Sequence, residues 1–90
     1  MYTLITGASS GIGLEMAKVF AAKKNDLILV ARTKSALEDL AHQIKQQYQV
    51  NVQIIALDLA APGAAKNLFS QTQAQGWKIN TLVNLSLIHI

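Results

Sequence analysis

Cysteine is absent from this 90-residue chain, which removes a disulfide framework, a thiolate nucleophile and any cysteine-based metal site. Histidine is nearly absent as well. His42 and His89 lie too far apart to form a spaced ligand motif, so no metal-binding residue is assigned. Charged residues make up only 14% against 51% hydrophobic ones, a balance that excludes a disordered tail and requires a packed core. Long hydrophobic runs are missing. The longest covers five residues, 27–31, far short of a membrane span, and no signal-type segment opens the chain. The net charge is +3, yet the basic residues are scattered and Lys23-Lys24 is the only adjacent pair. No nucleic-acid arm or polybasic membrane segment can be read from that distribution. The expectation is a cytoplasmic protein with neither nucleic acid nor membrane as partner. At 9.7 kDa the chain is shorter than an average domain.

What is present alternates regularly. Residues 2–6 mix aromatic and β-branched side chains and read as a strand, which stops at the small residues Gly7-Ala8-Ser9-Ser10-Gly11. Beyond them Ile12, Met16, Val19 and Phe20 recur at helical spacing, with Asn25 as a stop signal. The apolar run 26–31 suits a strand covered on both faces, as in a parallel sheet. A long helix follows with Leu37, Leu40, Ala41, Ile44 and Tyr48 on one stripe, capped by Thr33 or by a Ser35/Glu38 capping box. Residues 51–57 read as a third strand. Pro62 fits the first turn of a third helix carrying Ala65, Leu68, Phe69 and Thr72 and closed by Gly76, and 79–84 is a fourth strand. Right-handed crossovers turn this β-α-β-α-β-α-β order into a parallel sheet with helices on both faces. The expected fold class is α/β: the N-terminal half of a Rossmann doubly wound sheet, strand order 3-2-1-4, truncated.

The loop after the first strand belongs at the carboxyl edge of such a sheet, where ligands of open α/β folds bind and a helix start offers N–H groups to an anion. Its glycines are spaced Gly7-x-x-x-Gly11-x-Gly13, which is not the G-x-G-x-x-G fingerprint. Ile12 stands where a P-loop needs glycine, with no lysine after it, which argues against a P-loop NTPase. The physical roles survive the altered spacing. Gly7 lets the strand turn, Gly11 admits a phosphate close to the backbone, Gly13 lets the helix approach the sheet, and Ser9 and Ser10 add hydroxyl donors.

The string Thr6-Gly7-Ala8-Ser9-Ser10-Gly11-Ile12-Gly13 resembles the Thr-Gly-x-x-x-Gly-x-Gly motif of the short-chain dehydrogenases/reductases, NAD(P)-dependent oxidoreductases. Asp58-Leu59, after the third strand, resembles that family's adenine-contacting acidic turn. Leu82-Val83-Asn84 resembles the strand entering its Asn-Asn-Ala-Gly motif. The resemblance implies an alcohol/carbonyl oxidoreductase whose cofactor residues here are Gly7, Ser9, Ser10, Gly11, Ile12, Gly13, Arg32, Asp58, Leu59 and Asn84. It also implies a small-molecule alcohol or carbonyl substrate and a homo-oligomeric full-length parent. The second strand sets the cofactor form. NAD binders place a carboxylate near its end and NADP binders an arginine. Ala31 occupies the carboxylate position and Arg32 follows it, with Lys34 as a possible helper, whereas Asp26 begins the strand and so belongs at the far edge. NADP (NADPH) is expected, and NAD is less favoured.

The family's catalytic Tyr-x-x-x-Lys does not occur: Thr6 follows Tyr2, and Val52 follows Tyr48, at that spacing. No catalytic residue is assigned and the chain is expected to be inactive by itself. Residues 85–90, Leu-Ser-Leu-Ile-His-Ile, depart from the family pattern where Asn-Ala-Gly should follow. They are also a translation of CTG TCT CTT ATA CAC ATC, which resembles a transposase end used to tag sequencing libraries. The expected organisation is therefore a partial NAD(P)-binding domain over 1–84 and a non-native tail over 85–90, with a genuine strand extension as the alternative. Two other functions compete. A non-catalytic dinucleotide-binding module would end near residue 84. An S-adenosylmethionine-dependent methyltransferase wants an acidic residue just before the glycine loop, where Ile5 and Thr6 stand.

Overall fold

The computed structural model describes residues 1–85; the expected tail, apart from Leu85, lies outside the described residues. Strands β1 (Tyr2–Thr6), β2 (Asp26–Ala31), β3 (Val52–Ala56) and β4 (Ile79–Asn84) alternate with helices α1 (Gly11–Ala22), α2 (Lys34–Tyr48) and α3 (Ala64–Ala74). All pairings are parallel and the strand order is β3-β2-β1-β4, the order the alternation predicts. Because every strand runs the same way, all the strand-to-helix loops lie on one edge and all the helix-to-strand loops on the other.

Alternation along β2 explains the two-layer burial. Leu27, Leu29 and Ala31 point with Ile5 into the layer under α1 and α2, joined by Ala17, Ala21, Leu37, Leu40, Ala41 and Ile44. Ile28 and Val30 point the other way, with Leu4, Ile55 and Leu68 of α3. Both faces of β2 are therefore dry. The run 27–31 lacks polar alternation for that reason, and each buried leucine or isoleucine contributes about 1.5–3 kcal/mol.

Helix ends differ in detail from the sequence expectation. α1 stops at Ala22 and Lys24 takes the left-handed position at φ 65°, while Asn25 closes the end by donating from its backbone N–H and its side-chain amide to Phe20 O, each at 3.1 Å. At α2 the cap position is Thr33, but its side chain makes no cap bond, and Ser35 lies inside the helix, so no Ser35/Glu38 box starts it. Pro62 precedes α3 rather than entering its first turn. Gly63 at φ 73° is the residue before the helix, a conformation that a helical interior excludes. The buried positions of α3 are Ala64, Leu68 and Thr72, spaced by four, while Phe69 is 39% exposed. Its aromatic ring therefore belongs to the outer margin of that face.

Candidate functional site

Thr6 ends β1 fully buried, and Gly7 turns the chain at φ 67°, a conformation that costs glycine little. Ser10 N-caps α1: its hydroxyl accepts from Gly13 N at 3.0 Å and donates to Gly7 O at 2.9 Å. That oxygen is occupied in holding the loop, so the expected pair of hydroxyl donors reduces to Ser9, which is exposed. The cap leaves the N–H groups of Gly11 and Ile12 without intrahelical acceptors, at the positive end of the helix dipole. Gly13 faces inward. A methyl carbon built on it would lie 2.5 Å from Gly7 O and 2.6 Å from Ala8 Cα, closer than any carbon tolerates. Among the described residues, no atom beyond its own helical turn stands within 4 Å of a methyl built on Gly11, so space is open on the outer side of the loop.

This loop forms one wall of a cleft of about 460 Å³ at the carboxyl edge of the sheet. Gly7, Ser9 and Ser10 line it from β1, Val30, Ala31 and Arg32 from β2, and Leu57 to Ala60 from the turn after β3. Asp58 shapes that turn, with Oδ1 accepting from Ala60 N at 3.0 Å. It is thus a turn-former and a cleft residue at once. Gly7, Ser9, Ser10, Arg32 and Asp58-Leu59 therefore converge on one cavity although 51 positions separate Gly7 from Asp58. Lys34 opens α2 and lies outside the lining, as do Gly11, Ile12 and Gly13. Ile12 is 67% exposed, on the solvent side of the helix start.

Asn84 also lies outside the cleft lining, at the end of β4 beside Thr6. Thr6 Oγ1 donates to Asn84 Oδ1 at 2.8 Å and accepts from Leu85 N at 3.2 Å. A methyl built on Gly7 would meet Leu85 C at 3.3 Å, so the chain leaving β4 passes close over the glycine turn. The buried Thr6 hydroxyl that ties these strand ends is a role that sequence reading does not assign. Its only signal is a polar residue closing an otherwise apolar strand. Asp26, read as belonging to the far edge, does so and accepts from Asn51 N at 3.0 Å. Among the described residues no group of three or more His, Asp or Glu side chains could hold a metal. None of their helices is long and apolar enough to cross a membrane.

A parallel sheet with helices on both faces, a glycine turn into α1 and a cleft along the carboxyl edge define a Rossmann-type α/β protein. The family model for short chain dehydrogenases matches residues 2–86. The chain belongs to the short-chain dehydrogenase/reductase family. It is 35% identical over 83 residues to a very-long-chain 3-oxoacyl-CoA reductase of Kluyveromyces lactis, covering 92% of this chain and 24% of that protein. The chain thus spans about a quarter of the length of the curated relatives it matches. Two solved structures superpose closely. A 7β-hydroxysteroid dehydrogenase gives a TM-score of 0.88 at 28% identity, over 99% of this chain and 34% of the other. L-Sorbose reductase from Gluconobacter frateurii, complexed with NADPH and L-sorbose, gives 0.87 at 31% identity, over 99% and 34%. Family membership removes the methyltransferase reading.

Proposed function

We propose that the chain holds the adenosine and pyrophosphate portion of NADP for a short-chain reductase that passes hydride between nicotinamide and a small alcohol/carbonyl pair. The observation carrying this reading is the placement of Arg32 in the cleft, beside Ala31 where an NAD binder would carry a carboxylate. A cation there matches a ribose 2′-phosphate, while a 2′-hydroxyl gains little from it. The other residues fit the same group. The open N–H groups of Gly11 and Ile12 suit the pyrophosphate, with Ser9 beside them. Gly7 turns the chain and Gly13 lets the helix start sit against that turn, which aims the helix end along the cleft edge. Asp58 and Leu59 bound the cleft on the side that would take the adenine, and Asn84 braces the strand end through Thr6. The cofactor supplies the hydride chemistry, and these residues bind and orient it.

The substrate-binding and proton-transferring groups are assigned to the parent protein beyond Asn84. We expect Asn-Ala-Gly there, and further on a serine and a Tyr-x-x-x-Lys, whose four-residue spacing puts the ammonium beside the phenol on one helix face. We place that parent in the cytoplasm as a homo-oligomer. The test is the intact reading frame, expressed and assayed for ketone-dependent loss of NADPH absorbance. Turnover with NADPH at least tenfold better than with NADH is the expected result. A frame that stops after residue 90 and yields a folded chain binding NADPH without turnover would favour the non-catalytic binding module instead.

A further inference from the structure

The basic residues look scattered along the sequence, but the fold collects half of them. Lys23 and Lys24 lie between α1 and β2, Lys45 is in the last turn of α2, and Lys78 immediately precedes β4. All four stand at the edge where the strands begin, opposite the cofactor cleft. Hydrogen bonds show that this rim is continuous. Tyr2 N donates to Lys78 O at 2.7 Å, Leu27 N to Asn51 O at 2.9 Å, and Lys24 Nζ to Tyr48 O at 2.7 Å. The four lysines are exposed. Asp26 is the single acid on this rim, engaged by Asn51 through N at 3.0 Å and Nδ2 at 3.5 Å. The other four acids, Glu15, Glu38, Asp39 and Asp58, stand in the first halves of α1 and α2 and in the turn after β3, toward the cleft edge.

The rim is apolar as well as basic. Met1 is 76% exposed. Tyr2 and Trp77 are half-buried there, their rings tilted at 52° with centroids 5.9 Å apart. Lysines around half-buried aromatics and an exposed methionine make an interfacial composition. The amines suit anionic headgroups and the amphipathic rings suit the headgroup boundary. We propose that this rim is a peripheral docking surface for an anionic phospholipid bilayer. Nucleic acid fits it less well. The rim has no arginine for bidentate phosphate contacts. A chain docked by this rim points its cleft away from the bilayer. The cleft then stands roughly 15–20 Å off, one strand length, with access to cofactor in solution. The absence of a polybasic segment in the sequence stands, because the patch comes from two separate connections and one helix end.

Trp77 is the chain's single tryptophan and reports directly on this rim. The full chain is titrated with vesicles of phosphatidylcholine containing about one-third phosphatidylserine, and with pure phosphatidylcholine, following Trp77 emission and co-sedimentation. Partition onto the anionic vesicles with a blue shift is expected. It should weaken about 25-fold in Lys23→Gln/Lys78→Gln, at about fivefold per lysine, and remain in Lys34→Gln/Lys66→Gln. Among the described residues neither amine removed in the first pair has a hydrogen-bond partner, and matching far-UV circular dichroism confirms that both variants are folded. Failure of the wild-type chain to partition overturns the proposal. So does equal weakening in both pairs, which would reduce the effect to net charge, or equal partition onto neutral vesicles. Tighter binding to a single-stranded RNA through the same lysines would assign the rim to nucleic acid and overturn it too.

Discussion

Replacing Arg32 by alanine is expected to weaken NADPH binding by about ten- to a hundredfold while leaving NADH binding nearly unchanged. Arg32 follows the last residue of β2 and lines the cleft with Ser9 and Asp58; in the proposed function its charge meets the 2′-phosphate by which the two cofactors differ. A charge-assisted hydrogen bond contributes about 1.5–3 kcal/mol, and each 1.4 kcal/mol is a factor of about ten. Loss of one such contact or two therefore spans the stated range. A companion variant, Ala31→Asp in the Arg32→Ala background, should reverse the preference. Ala31 lines the same cleft, and a carboxylate there would repel a 2′-phosphate and accept from a 2′-hydroxyl. Calorimetric titration of both cofactors checks the pair. Equal losses for NADPH and NADH in Arg32→Ala would move Arg32 from the 2′-phosphate to a shared part of the ligand.

Gly13 carries the second large effect, through packing. Even alanine puts a carbon 2.5 Å from Gly7 O and 2.6 Å from Ala8 Cα, both backbone atoms that move only if the loop moves. Overpacking of a close-fitted contact costs about 1–3 kcal/mol, and the displaced loop is the same one that shapes the cleft. Gly13→Ala should therefore lower the urea midpoint and reduce affinity for both cofactors alike; Gly13→Leu should do so more severely. Gly11→Ala is the contrast. With nothing within 4 Å of its methyl, the fold should keep or gain stability, while cofactor affinity falls because the methyl intrudes on the space left for phosphate. A Gly13→Ala chain with unchanged melting and unchanged affinity would show that the helix start does not press on the Gly7 turn.

The strands were legible because their physics is local. The run 27–31 is apolar on every residue and bounded by Asp26 and Arg32, as suits a strand buried on both faces, and β4 likewise occupies the predicted 79–84. The caps were less legible. Ser9 and Ser10 are adjacent and chemically alike, and only the loop's geometry decides that Ser10 closes onto Gly13 N while Ser9 is left to the cleft. Pro62 reads as a helix start because proline favours a first turn, but Gly63 at φ 73° intervenes and delays α3 to Ala64. Phe69 matches the helical period as well as Leu68 does. Burial separates them, since α3 turns only the Ala64, Leu68 and Thr72 side to the sheet. That Arg32 and Asp58 line one cleft with the glycine loop was legible because parallel strands bring all their carboxyl ends to one edge. The lysine rim was not, since its members come from connections that sequence keeps apart.

The central claim is that this chain recognises the 2′-phosphate of NADP by itself, through groups that all lie within residues 7–59. Comparing the affinity of the chain for 2′-phospho-ADP-ribose and for ADP-ribose tests it most directly, because these ligands differ only in that phosphate and lack the nicotinamide that downstream residues would hold. Tighter binding of the phosphorylated ligand by at least about tenfold, lost in Arg32→Ala, is the predicted result. Equal affinity for the two, or a preference for ADP-ribose, would contradict it.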